Sequence, residues 1–83
     1  MQRNRPAGMR DDDADQDYPA AFGMRVRIAR LRLGWTCERL AEAADISARA
    51  VQLIEQGKAN PTLSTLTHIA NALQEDLRDL LEP

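Results

Sequence analysis

The chain has 83 residues, 43% of them hydrophobic and only 4% aromatic, so it forms one small domain with an aliphatic and alanine-rich core. A single cysteine, Cys37, excludes an internal disulfide and a two-cysteine zinc site. The formal net charge of −2 argues against a nucleic-acid binder until it is divided along the chain.

The division is uneven. Residues 1–21 carry three arginines against five aspartates. Residues 22–61 carry seven basic against four acidic side chains, net +3. Residues 62–83 carry Arg78 against four carboxylates, net −3. Positive charge in the middle of the chain hints at an anionic partner.

Residues 1–21 lack apolar periodicity and contain Pro6, Gly8, Pro19 and a dense acidic run, which predicts a disordered acidic tail. The remainder, 22–83, reads as helix throughout, and no stretch alternates in the manner of a strand. There is no secretory signal and no apolar run long enough to span a membrane, so a cytoplasmic location is expected.

The first helix is predicted over Phe22–Leu33, with Phe22, Val26, Ala29 and Leu33 on one face and Gly34 as its stop. Thr36 caps a short second helix whose inner face is Cys37, Leu40, Ala41 and Ala44. It ends near Asp45, a residue type that tolerates left-handed dihedrals. Ser47 caps a third helix with Val51 and Ile54 inside, stopped by Gly57. Lys58-Ala59-Asn60-Pro61 is a loop. Thr62 caps a fourth helix with Leu63, Leu66, Ile69, Ala70 and Leu73 inside. A short fifth helix carries Leu77, Leu80 and Leu81, and the chain stops at Pro83, which leaves no effector-binding domain expected within it.

Only Asp45-Ile46-Ser47 joins the second and third helices, so the two must cross steeply, and Ala41 and Ala44 supply the small side chains such a crossing needs. The ordered set Val26-Arg27-Ile28-Ala29-Arg30, Gly34-Trp35-Thr36, Leu40-Ala41-Glu42, Ile46-Ser47, Val51, Ile54-Glu55-Gln56-Gly57, Asn60-Pro61-Thr62-Leu63, Leu66, Ile69-Ala70 and Ala72-Leu73 spans two-thirds of the chain. It resembles the helix-turn-helix domain of Cro and phage-repressor-type regulators, the XRE family.

The resemblance implies an all-α bundle of about five helices, with helix three in the major groove of double-stranded DNA and helix two across the backbone. By position, helix three then reads bases with Ala48, Arg49, Gln52 and Leu53, with Ser47 at the edge. Arg49 suits a guanine edge or, failing that, a phosphate; Gln52 suits adenine; Ala48 and Leu53 suit thymine methyls. Phosphate contacts are expected from Arg27, Lys58 and Asn60, and from the helix starts at Thr36–Cys37 and Thr62–Leu63. Cys37 stands where the family usually has Gln, and Gln74 where it often has Gly. Arg30 and Glu55 match positions that form an ion pair between helices one and three. Trp35 reads as core, and His68 as a structural or surface residue.

These features point to a sequence-specific regulator of transcription, a homodimer on a palindromic operator. The alternative is the antitoxin half of a toxin–antitoxin pair, which binds a protein partner and represses its own operon. No phosphate loop, metal cluster or histidine–nucleophile arrangement supports an enzyme, and no cofactor or metal is expected. The dimer surface must lie away from the DNA-reading helices. Leu77, Leu80 and Leu81 are assigned to it, on the expectation that so short a helix leaves them unburied.

Overall fold

The structure, a computed structural model, describes the backbone of residues 11–81 and the surroundings of side chains from Pro19 onward. Five helices follow one another: α1 (Asp11–Arg32), α2 (Cys37–Ala44), α3 (Ala48–Glu55), α4 (Leu63–Leu73) and α5 (Leu77–Leu81). The described residues contain no strand, and no described helix is long and apolar enough to cross a membrane.

The starts of α2, α3, α4 and α5 are each fixed by a short polar side chain. The hydroxyl oxygens of Thr36, Ser47 and Thr62 accept the backbone N–H groups of Arg39, Ala50 and Thr65 at 3.0, 3.0 and 3.2 Å. Asp76 does the same ahead of α5, accepting the Arg78 N–H at 2.9 Å. Each takes up one of the donors that a helix start leaves without an intrahelical partner.

Four helix ends close alike, through one residue in the left-handed region: Gly34 (φ 72°), Asp45 (φ 60°), Gly57 (φ 74°) and Gln74 (φ 59°). In each case the next N–H reaches back five residues. Trp35 donates to Arg30, Ile46 to Ala41, Lys58 to Leu53 and Glu75 to Ala70, at 2.9–3.1 Å. This closure turns the chain sharply while satisfying the last carbonyls. Gln74 adopts the conformation that glycine would adopt without strain, so its non-glycine identity does not alter how α4 ends.

The core is built from Phe22, Val26 and Ala29 of α1, Leu40, Ala41 and Ala44 of α2, Val51 and Ile54 of α3, Leu66, Ile69, Ala70 and Leu73 of α4, and Leu80 of α5. Trp35 packs against it while staying partly exposed. Helix α2 lies against α3 and α4, and α1 lies against α3, α5 and α4. Ala41 and Ala44 sit buried where α2 crosses its neighbours, and their small size permits the close approach.

Several expectations require correction. The first helix begins at Asp11, so residues 11–21, expected as tail, continue α1 instead of preceding it. Residues 1–10 lie outside the described residues. The acidic run is compatible with this because carboxylates favour a helix N-terminus, and Pro19, which removes one ladder donor and crowds the carbonyl one turn earlier, does not end the helix. Leu33 and Leu63, both expected inside, are 45% and 69% exposed. Leu33 falls in the turn after α1 has ended, and Leu63 is the first residue of α4 and overhangs the core. Leu80, assigned to a free dimer surface, is 3% exposed, because the α5 segment folds back onto α1 and α4. Leu77 and Leu81 are half-buried against the same core. The expected apolar surplus on α5 is therefore consumed inside the protomer.

Candidate nucleic-acid interface

Helix α3 has two turns and two fates for its side chains. Val51 and Ile54 are buried, and this fixes the roll of the helix. Arg49 and Gln52 then stand exposed, with Ser47 exposed at the cap and Ala48 and Leu53 half-buried along the edges. An arginine and a glutamine one turn apart give one face a forked donor and a mixed donor–acceptor group, the pair best suited to reading base edges.

The loop after α3 is brought beside this face. Leu53, Ala50 and Ile54 line a notch of about 300 Å³ together with Ala59, Asn60, Pro61, Thr62 and Thr65. The structure thus joins Leu53, Asn60 and Thr62 on one surface although eight residues separate the outermost two. Lys58 and Asn60 are exposed in the loop. Arg27 is exposed on α1, about 40° around the helix from Gly23 on the side away from Arg30, so it borders the flank that meets α3. The Thr36 and Thr62 oxygens already serve as caps, so these helix starts offer their remaining backbone N–H groups to an anion.

The placement of α3 depends on a tie to α1. The Arg30 guanidinium grips Glu55 with two bonds, Nε to Oε2 at 2.7 Å and a terminal nitrogen to Oε1 at 2.9 Å. Its third donor reaches the Trp35 carbonyl at 2.7 Å. One side chain thereby joins the last turn of α3 to the turn before α2. The hydrogen bond to Glu55 holds the Arg30 pKa above its ordinary value. Arg30 is nearly buried, so loss of Glu55 would leave a charge without a partner.

Cys37 approaches the same pair, its Sγ 4.0 Å from Glu55 Oε1. Burial and the Glu55 carboxylate raise its pKa, so the thiol stays protonated at neutral pH. It is turned toward the ion pair, and only its backbone N–H remains a candidate for phosphate.

Two features escaped the sequence reading. Gly23 is buried where α1 meets α3, and a Cβ there would run into the Ile54 carbonyl oxygen. A glycine inside a helical pattern was the available signal. Arg39 stacks over Trp35, 4.9 Å from the ring centroid, and its Nη1 lies 3.5 Å from Glu42 Oε1. Spacing alone does not reveal that stacking. His68 is exposed beside a shallow depression formed with Asp45, Asn71 and Ala72.

Comparison with known proteins matches this geometry to one family. The HTH_3 helix-turn-helix description matches residues 26–80. The HTH-type transcriptional regulator SutR of Escherichia coli (strain K12) is 35% identical over 54 residues, which is 65% of this chain and 30% of SutR. The chain thus spans under a third of the length of that curated relative. The restriction-modification controller protein C.AhdI from Aeromonas hydrophila superposes with a TM-score of 0.73 at 31% identity, covering 75% of this chain and 94% of the other. The hypothetical transcription factor NHTF from Neisseria gives a TM-score of 0.78 at 30% identity, covering 96% and 88%. With the family match spanning the two crossed helices, their caps and the buried ion pair, the chain belongs to the HTH_3 helix-turn-helix family, of the XRE type of DNA-binding transcriptional regulators.

Proposed function

We propose that this protein is a sequence-specific regulator of transcription that binds a palindromic operator as a homodimer, with α3 in the major groove. The observation that carries the proposal is the roll of α3: Val51 and Ile54 are buried, and Arg49 and Gln52 project outward together. Arg49 pairs with a guanine through O6 and N7, and Gln52 with an adenine or another base edge. Leu53 and Ala48 contact thymine methyls, and Ser47 lies at the rim. Arg27, Lys58, Asn60 and the starts of α2 and α4 hold the phosphates and set the register.

A single α3 of eight residues touches only a few base pairs, too few to select a site from a genome of competitors. Two copies related by a two-fold axis place two α3 helices in successive major grooves about 34 Å apart. Selection of bound duplexes from random DNA tests this directly. An inverted repeat with half-site centres about one helical turn apart is the expected result. Recovery of no enriched sequence, or of an unrepeated motif, would contradict the proposal.

A further inference from the structure

The outer face of α1 carries an apolar ridge with no partner among the described residues. Met24, Ile28 and Leu31 are 57%, 42% and 52% exposed, and Ala21 is exposed one turn before them. Their spacing of three, four and three residues is that of a two-helix seam. The buried residues Phe22, Val26 and Ala29 lie on the opposite side of the same helix. A contiguous apolar strip rimmed by charge marks an interaction surface.

One rim of the ridge descends into a groove of about 270 Å³ between α1 and the α5 segment, lined by Arg25 and Arg32 on one wall and Glu75 and Asp79 on the other, with Ile28, Ala29 and Leu80 between them. Among the described residues, neither arginine forms an ion pair with either carboxylate. The surface therefore presents both signs of charge, unpaired, beside exposed apolar side chains. A surface of this kind is complementary to itself.

We infer that the occupant is a second copy of this chain, packed so that the two α1 helices run antiparallel and seam to seam. This inference rests on the homodimer reading above and assigns its interface. Ile28 meets Ile28 of the other copy near the two-fold axis, and Met24 meets Leu31. An antiparallel two-fold pairing sets each flank of a helix against the same flank of its mate. The α5 flanks thus face each other, and Arg25 and Arg32 of each copy reach Glu75 and Asp79 of the other. The opposite flank of α1 bears Arg27 and packs on α3, next to Gly23 and the Arg30–Glu55 pair. Both α3 helices then fall on one side of the pair, the side a single duplex would occupy.

Sedimentation equilibrium on the full chain tests the assignment. The unmodified protein should sediment at twice the chain mass at micromolar concentration, and Ile28→Asp should sediment at the chain mass with unchanged helical content. Loss of the joined second half-site lowers operator affinity about 100-fold. Leu63→Asp, at an exposed leucine off the ridge, should leave the dimer intact. Because Ile28→Asp acts through one side chain, a charge-reversal pair provides a second reading. Arg25→Glu with Arg32→Glu should dissociate the dimer, and adding Glu75→Arg with Asp79→Arg to the same chain should restore it. A dimer that survives Ile28→Asp, or a charge reversal without rescue, overturns the α1 seam and leaves the operator reading standing. A monomeric unmodified protein that selects a single half-site overturns both.

Discussion

The crossed pair α2–α3 and the long helix α1 obtain their structures in different ways. Between Thr36 and Gly57, every helix boundary has a residue that dictates it. Thr36 and Ser47 supply the caps, Asp45 and Gly57 the left-handed ends, and Ala41 and Ala44 the crossing. Helix α1 has no such start signal at Phe22 and is placed by distant partners. Gly23 admits the Ile54 carbonyl, and Arg30 grips Glu55. The reading surface is thus written locally, and its orientation in the molecule is written by contacts 25 or more residues apart in sequence.

That contrast predicts where substitutions cost most. The long-range ties should dominate. Arg30→Met or Glu55→Leu strands a buried charge and should each destabilise the fold by about 3 kcal/mol in urea unfolding. The double substitution should cost clearly less than the two together, whereas simple additivity would show that the pair does not couple α1 to α3. Gly23→Ala should follow, at about 1–3 kcal/mol, because the added methyl meets backbone that cannot move aside cheaply. A stable Gly23→Ala protein would mean that α1 can slide on α3.

Local signals should matter individually less. Thr36→Ala and Ser47→Ala each remove one cap bond and should cost about 1 kcal/mol, with independent, additive effects in thermal or urea unfolding. The smallest expected effect belongs to Cys37. Its pKa is raised in the folded state, so its contribution is fully present below the ordinary thiol value of 9.0 and is lost as pH rises through the folded value. Stability of the unmodified protein should therefore fall above about pH 9 more steeply than that of Cys37→Ala. Parallel pH profiles for the two would show that neither burial nor Glu55 raises the thiol's pKa in the folded protein.

Legibility in the sequence followed the same division. The caps at Thr36, Ser47 and Thr62 and the ends at Gly34, Asp45 and Gly57 were readable because each is a local conformational preference. Gln74 was not readable as a left-handed end, since its residue type does not favour that conformation and the closing bond from Glu75 to Ala70 sustains it. Leu33 and Leu63 share the inward phase of their helices, and periodicity does not register where a helix outruns the core. The fate of Leu77, Leu80 and Leu81 was misjudged for a related reason. Counting apolar residues on a short helix does not reveal that α1 and α4 together cover Leu80. The same blindness hid the ridge of Met24, Ile28 and Leu31, whose exposure emerges only when the opposite face of α1 is filled. At the reading surface, Arg49 and Gln52 were legible by elimination once Val51 and Ile54 were turned inward. The Arg39–Trp35 stack was not legible, because it depends on the turn that Gly34 makes.

The central claim is that α3 reads bases through its exposed face, and Arg49→Ala tests it most directly. Affinity should be measured at one fixed salt concentration on the selected operator and on unrelated duplex of equal length. A base contact predicts a loss of about 1–3 kcal/mol on the operator, relaxed preference at one base pair of each half-site, and a much smaller loss on unrelated DNA. An equal loss on both duplexes, with the base preference unchanged, would make Arg49 a phosphate contact and contradict the account.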